Sequence, residues 1–479
     1  MSRPDLAPDA APIQLVLISH TNAGKTTLAR TLVGIDIGEV RDAPHVTTTS
    51  DSHPLLASPA GDTLLLWDTP GFGDSVRLAK RLAHADNPIG WLLREVIDRY
   101  RDRPFWLSQQ ALRTAREAAD VVLYLVNSSE DPHDAGYLDA EMKVLHWLGK
   151  PVMVLLNQMG PPRPALEEQA EQERWRQGLA AYPAVRDVIS LDAFARCWVH
   201  ERVFYDAIGA LVPDEKKAAH ARLSAQWAHD NQARFRASME RIAQQIGDAA
   251  RDSEPLPATG RPMLETVAKA IGLGERGGAR REDRAMTALT ARLEQSIAAC
   301  TARLLTLHKL DAGVARTINE RVRDAYVVRS PVDAKQAGLL GAVVSGAASG
   351  LSADLLSGGL SFGAGALLGG IVGALTFAGA AWGFNTSTGR NTATVQFSDA
   401  FLHSLVVAGL LRYLAIAHFG RGRGDFVESE APAFWQTEVE AQLASHEASL
   451  PTAVRGEPAS LAVLLERTMT GVLERLYPR

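Results

Sequence analysis

Residues 13–28 read Ile-Gln-Leu-Val-Leu-Ile-Ser-His-Thr-Asn-Ala-Gly-Lys-Thr-Thr-Leu. Ile13–Ile18 is an apolar run with strand character, and a helix-forming Leu-Ala-Arg-Thr-Leu follows the loop. The loop nearly matches the phosphate-binding pattern Gly-x4-Gly-Lys-Ser/Thr, with Ser19 where the first Gly is usual. Gly24 lets backbone N–H groups turn inward around a phosphate. Lys25 is placed to reach the β- and γ-phosphates of a nucleotide, and the Thr26 hydroxyl to bind Mg2+. Ala23 and Thr27 flank this core and count with the phosphate-binding residues. The helix presents its positive N-terminal end to the same anion. A strand before and a helix after separate such a loop from a chance Gly-Lys-Thr.

Outward from the loop, short β-type runs recur at Thr63–Trp67, Val121–Asn127, Val152–Leu156 and Val188–Ser190, with helix-suited segments between them. That alternation predicts an α/β fold, a mostly parallel sheet with helices on both faces. Ligands of such sheets bind at the carboxyl ends of the strands, where the phosphate loop sits.

The chain has 479 residues, enough for two to three domains. A hydrophobic share of 46% and a charged share of 22% fit a folded protein. The net charge of −5 makes no electrostatic case for nucleic acid. Cys197 and Cys300 are the two cysteines, which points to a reducing compartment and away from a disulfide framework or a Cys-based zinc site. The polar N-terminus carries no apolar signal core, so the nucleotide-binding half is expected to face the cytoplasm.

From about Val199 the pattern changes to long helices. Asp214–Arg251 is rich in Ala, Gln, Arg and Glu, and Arg284–Tyr326 is similar. The Pro- and Gly-bearing stretch between them reads as loops around a short helix. Residues 337–384 are dominated by small and apolar residues, and Asp354 is the only charge from Gln336 to Thr388. Gly338, Ala342, Gly346 and Gly350, then Gly365, Gly369 and Gly373, recur every four positions and lay a smooth stripe along a helix face. So much Gly weakens a helix in water by roughly 1 kcal/mol per residue. Three readings stay open for this hairpin: a transmembrane pair turning at Asp354, a pair inserted in one leaflet, and a buried pair in a soluble helical domain. A third apolar run, Ala400–Phe419, carries Arg412 and ends in Gly-Arg-Gly-Arg-Gly.

Two further loops complete a nucleotide site. Arg41-Asp-Ala-Pro-His-Val-Thr-Thr-Thr has an Asp-x-Pro-x-Val-Thr pattern, and Trp67-Asp-Thr-Pro-Gly follows an apolar run. With the phosphate loop, these residues resemble the bacterial P-loop GTPases related to the Era and TrmE proteins, over about residues 12–196. The resemblance implies that Thr47 binds Mg2+ and senses the γ-phosphate, with Thr48 and Thr49 as rivals in register. It implies that Asp68 holds Mg2+ and that the Gly71 N–H meets the γ-phosphate. Asn22 corresponds to an Asn that coordinates K+ in TrmE-like relatives, or it makes an ordinary loop hydrogen bond. The helical, Gly-rich remainder resembles uncharacterised bacterial proteins that join such a GTPase domain to a membrane-type C-terminal domain.

Three departures from the family stand out. Phe72 occupies the place of a water-orienting Gln, so intrinsic hydrolysis should be slow or completed by another group. Asn157-Gln-Met-Gly replaces the guanine-recognition Asn-Lys-x-Asp: Asn157 is retained, Gln158 stands for the Lys, and Gly160 has no carboxylate for guanine. Ser190 and Asp192, in the last loop, are the remaining candidates near the base. A stretch after Asp74, residues 75–115, carries Arg77, Lys80, Arg81, Arg94, Arg99, Arg101 and Arg103 with Trp91, Phe105 and Trp106. It reads either as a nucleotide-responsive binding surface or as a solvated amphipathic helical pair.

The expected organisation is a tail over 1–11 and a P-loop GTPase domain over 12–198, with 75–115 as an insertion. A helical domain over 199–335 follows, then an apolar hairpin with C-terminal helices over 336–479. The expected reaction is GTP plus water to GDP and phosphate, with Lys25 and Thr47 as catalytic residues. Thr26, Thr47 and Asp68 hold Mg2+, and Asn22, Ala23, Gly24, Lys25, Thr26, Thr27, Gly71, Asn157 and Ser190 hold nucleotide. The rival is a nucleotide-dependent binding module without turnover. The expected partners are guanine nucleotide, a membrane or membrane protein, and a second copy of the chain. The expected location is the cytoplasmic face of the inner membrane, or the cytoplasm if the hairpin is buried.

Overall fold

A computed structural model describes residues 11–20, 23–33, 51–69, 71–72, 75–82, 102–159, 163–191, 198–255, 274–310, 382–385, 394–419 and 432–477. Asn22, Thr47, Thr48, Thr49, Gly160, Asp192 and residues 337–381 of the apolar hairpin lie outside these.

The chain divides into two compact units. The first takes in residues 1–232, 417–426 and 476–479, and the second 233–416 and 427–475. In the first, β1 (Ile13–Ser19) leads through the phosphate loop to α1 (Lys25–Val33). Next come β2 (Asp51–Ala57), β3 (Thr63–Asp68), α2 (Ser75–Leu82), α3 (Arg103–Ala118) and β4 (Val121–Asn127). Then follow α4 (Leu138–Leu148), β5 (Val152–Asn157), α5 (Ala165–Leu179), β6 (Val185–Ser190) and α6 (Trp198–Leu211). The strands form one sheet in the order β2-β3-β1-β4-β5-β6. Every pairing is parallel except β2 with β3. This is the mostly parallel α/β sheet that the alternation predicts.

Side-chain alternation divides the core into two layers. Ile13, Leu15 and Leu17 of β1 pack with Leu28 of α1 and Phe204 of α6 on one face. Val16 and Ile18 pack with Leu112 of α3, Leu145 of α4 and Trp175 of α5 on the other. Both layers are dry because the parallel strands are covered by helices on both sides. β2 adds a strand to those that the apolar runs predict. Its Asp-Ser-His-Pro-Leu-Leu-Ala lacks a clean apolar alternation, and Pro54 is tolerated because β2 is an edge strand, where the register shifts between Pro54 and Leu56. Within residues 75–115, α2 and α3 are helices, and α3 buries Phe105, Leu107, Ala111, Leu112 and Ala115. Asp102 starts α3 by accepting a hydrogen bond from the Phe105 N–H at 3.3 Å.

A 3-10 turn (Asp214–Lys216) opens α7 (Lys217–Arg251). In the first unit Lys216 Nζ bonds the Pro12 carbonyl at 2.9 Å and Asp120 at 2.7 Å. Arg222 grips both oxygens of Asp62, at 2.7 and 2.8 Å. Pro12, Asp62 and Asp120 precede β1, β3 and β4, so these bonds tie the helix to the amino ends of the strands, opposite the phosphate loop.

The second unit contains the rest of α7, β7 (Ser253–Pro255), α8 (Gly274–Leu307), β8 (Trp382–Asn385), β9 (Thr394–Phe397) and α9 (Asp399–Ala417). It ends in α10 (Ala433–Ala444), α11 (Leu450–Arg455) and α12 (Pro458–Leu476). The region is helical, as expected, with an added three-stranded antiparallel sheet ordered β7-β9-β8. Two segments differ from the expected pattern. The expected hairpin ran to Phe384, but Trp382–Asn385 is a strand, whose Trp and Phe suit a β-sheet. The glycines at 274–278, read as loop, begin α8, because the long amphipathic run behind them carries the helix through. α9 is long and apolar, with a mean hydropathy of 1.8 in an 18-residue window, and 78% of that window is buried inside the protein.

Candidate functional site

The parallel register brings the carboxyl ends of β1, β3, β4, β5 and β6 to one edge of the sheet. Leu17 pairs with Asp68, Ser19 with Leu125, Asn127 with Asn157, and Leu156 with Ser190. Four strand ends far apart in sequence therefore lie beside the end of β1, where the phosphate loop begins.

Gly24 sits at φ 87°, in the left-handed region. A Cβ there would stand 2.7 Å from Asn157 Nδ2. Asn157 is fully buried, and its Nδ2 donates to the Ala23 carbonyl at 2.9 Å. The residue expected to read the base thus also braces the phosphate loop. Gln158 follows at φ 57°, with its Nε2 3.7 Å from where a Gly24 Cβ would lie. It runs beside the loop as the Lys it replaces is expected to do.

Lys25 Nζ donates to Ser19 Oγ at 3.0 Å. Ser19, the departure from the usual Gly, therefore supplies an acceptor for the loop lysine. Burial pulls the Lys25 pKa down, and the carboxylates of Asp68 and Glu141 oppose that pull. Thr26 Oγ1 donates to Asp68 Oδ2 at 2.9 Å. A hydroxyl and a carboxylate in contact form a hard-oxygen pair of the kind Mg2+ takes, so these residues fit the metal. Thr69 fixes the turn after β3 through a 2.6 Å bond to the Leu17 carbonyl. Gly71 accepts from Ser108 at 3.4 Å. The Phe72 N–H donates to the Ser19 carbonyl at 3.0 Å, and its ring is fully buried in the core. Residue 72 thus points inward. Thr27 is buried on α1, and the Ser190 hydroxyl is buried without a hydrogen-bond partner at the end of β6.

One group of residues escaped sequence reading. His20 Nδ1 lies 2.7 Å from Glu141 Oε1, and the Tyr124 hydroxyl donates to Glu141 Oε2 at 2.5 Å. The His20 ring stacks on Tyr137 at 4.1 Å, and Tyr137 donates to Glu130 at 2.6 Å. Burial and the Glu141 carboxylate raise the Tyr124 phenol well above its ordinary value, so it stays a donor. The available signal was Glu141 itself, an acid among buried Leu138, Met142 and Leu145 on α4. Its carboxylate lies beneath the phosphate loop and contributes to the field at Lys25.

Residues 14–158 match the family model described as 50S ribosome-binding GTPase. Residues 180–464, more than half of the chain, match the model described as Domain of unknown function (DUF3482). No curated protein matches. Among solved structures, a variant of Era from Aquifex aeolicus bound to GDP and AlF4− is 14% identical. The match covers 60% of this chain and 88% of that one, with a TM-score of 0.30. Era in complex with MgGDPNP and a segment of 16S ribosomal RNA is 15% identical, with 59% and 90% covered and a TM-score of 0.31.

Proposed function

The chain belongs to the DUF3482 family and carries a GTP-binding P-loop GTPase domain ahead of that region, and from this premise we propose that it is a Mg2+-dependent GTPase switch. The observation that carries the reading is the pairing of Thr26 with Asp68, beside Lys25, at the carboxyl edge of the sheet. In this reading Lys25 neutralises phosphate charge, and the backbone around Gly24 cradles the phosphates. Thr26, Asp68 and Thr47 would hold the metal, which would supply positive charge against the developing phosphate charge. Asn157 keeps the phosphate loop in place under the base. Phosphoryl transfer needs positioning and charge neutralisation more than covalent chemistry, so these groups suffice for slow turnover.

Buried Phe72 favours a second reading, a nucleotide-dependent binding module with negligible hydrolysis, because an inward-facing ring cannot orient water. Phosphate release by the purified full-length protein separates the two. Measurable release that depends on Mg2+ supports the enzyme, and stimulation by K+ supports a role for Asn22. Lys25→Ala should abolish nucleotide binding while leaving the fold intact. Unchanged GTP affinity in that variant would sink both readings. The Gly-rich stretch 337–381 supports a further part of the proposal, contact with the cytoplasmic face of a membrane, on composition and spacing.

A further inference from the structure

Three helices of the second unit share a seam. α9 approaches α7 at Gly409, where a Cβ would lie 2.9 Å from Ile242 Cγ2. One turn further along α9, the Tyr413 ring meets Phe235 of α7 at 5.6 Å and His308, just past α8, at 5.7 Å. The two helices therefore run antiparallel, with Arg412 between these contacts. α8 joins through Cys300, whose thiol donates to the Arg241 carbonyl at 3.8 Å. Ile242 and Ile246 line the approach at Gly409, and the buried hydroxyls of Ser238 and Thr301 are each bonded to a carbonyl of their own helix.

Arg412 is 1% exposed, and its three guanidinium nitrogens find no oxygen or nitrogen acceptor, only the weakly polar Cys300 thiol lying against them. Arg241 is half-buried with an unpartnered Nε, and Gln245, one turn on, is 1% exposed with neither amide atom bonded. Cys300 is near both guanidinium groups. Burial pushes its thiol up, so it stays neutral and gives no counter-charge. A guanidinium buried without a counter-charge is strongly unfavourable, and such a cation persists when something supplies the missing acceptor.

We propose that Arg412, Arg241 and Gln245 form a binding site for a phosphate-type oxyanion in the seam of α7, α8 and α9. The planar fork of Arg412 suits bidentate capture of two oxygens, and the Gln245 amide adds a donor. Two guanidinium groups without a carboxylate, among the described residues, call for a ligand with more than one negative charge. Half-buried Arg241 links the seam to the surface. The phosphate can come from the free ion or from a lipid headgroup.

Full-length protein freed of phosphate is titrated with inorganic phosphate, and separately with a soluble short-chain phosphatidic acid, while its thermal midpoint is followed. The midpoint is expected to rise with the logarithm of concentration above the dissociation constant, by about 4 °C near a hundredfold excess over it. A rise with inorganic phosphate assigns the free ion, and a rise with the lipid alone assigns a headgroup. Lys25→Ala, which removes the phosphate loop's own cation, must keep the rise. Arg412→Met must lose it while binding GTP normally, and Arg412→Lys must weaken apparent affinity about tenfold or more, since it keeps the charge without the fork. If Arg412→Met does not fold, Arg241→Met takes its place, again with about a tenfold loss expected. A wild-type midpoint unmoved by both probes overturns the site. So does a rise that survives in Arg412→Met, or one that vanishes in Lys25→Ala and so belongs to the phosphate loop.

Discussion

Gly24 meets two demands at once. Its left-handed φ disfavours any Cβ by about 1–2 kcal/mol, and that Cβ would press on Asn157 Nδ2 at 2.7 Å. Gly24→Ala is therefore expected to displace Asn157 from the Ala23 carbonyl and weaken GTP binding by at least about tenfold. Isothermal titration checks this, and wild-type affinity would show that the loop tolerates the shift. The neighbouring loop sets a second expectation. Gln158 lies along the phosphate loop, and residue 160 is a Gly without a carboxylate for the base, so guanine should be favoured weakly. The ratio of GTP to ATP affinity is expected below about a thousandfold, some 4 kcal/mol. A larger ratio would mean that another group, Asp192 foremost, reads the base.

At the scale of elements, the 3-10 turn at Asp214–Lys216 and the first part of α7 are held to the sheet at the edge away from the phosphate loop. Asp62 is 2% exposed, and the Arg222 guanidinium that grips it, first among several causes, holds its pKa below the ordinary 3.8. A depressed carboxylate adds stability that is full above 3.8 and is lost as pH falls below it. His220 acts in a different window. Burial lowers its pKa below 6.5, so the folded state keeps the ring neutral while the unfolded chain takes up a proton. Stability should then begin to fall as pH drops through 6.5. Thermal midpoints measured from pH 8 to 3 are expected to show both limbs. His220→Gln should flatten the upper limb, and Asp62→Asn the lower one at a cost of about 1–2 kcal/mol near neutrality. A profile identical in both variants would refute this account of the packing.

For the molecule as a whole, the expectation concerns contact between the helical half and a membrane. The charge-poor stretch 337–381 is helix-weakening in water and suited to close backbone packing in lipid. The full-length protein is expected in the membrane fraction of expressing cells, and a version without residues 337–381 in the soluble fraction. Recovery of the full-length protein without detergent would return the stretch to a buried helical pair. α9 shows why composition alone does not decide such matters. It is long and apolar enough to cross a bilayer, yet 78% of its apolar window is buried within the protein.

The nucleotide end of the chain was legible from residues 13–28 onward because its chemistry is local. A strand, a Gly-Lys-Thr loop and a helix N-terminus are contiguous, and Asp68 ends a plain apolar run. The parallel sheet followed from the spacing of apolar runs. What the linear pattern did not carry were arrangements made by distant segments. β2 is stable only as an edge paired to β3, and its own residues are ambiguous. Ser19 reads as a lapse from the motif until it stands 3.0 Å from Lys25 Nζ. Glu141 is one acid on an apolar helix face until folding sets it under His20, 121 residues away. Arg412 is a single charge in an apolar helix, and only the packing of three helices shows that it is buried without an oxygen or nitrogen acceptor. Local propensity and periodicity are written in neighbouring residues, whereas the partner of a buried polar group is chosen by whichever segment the fold brings against it.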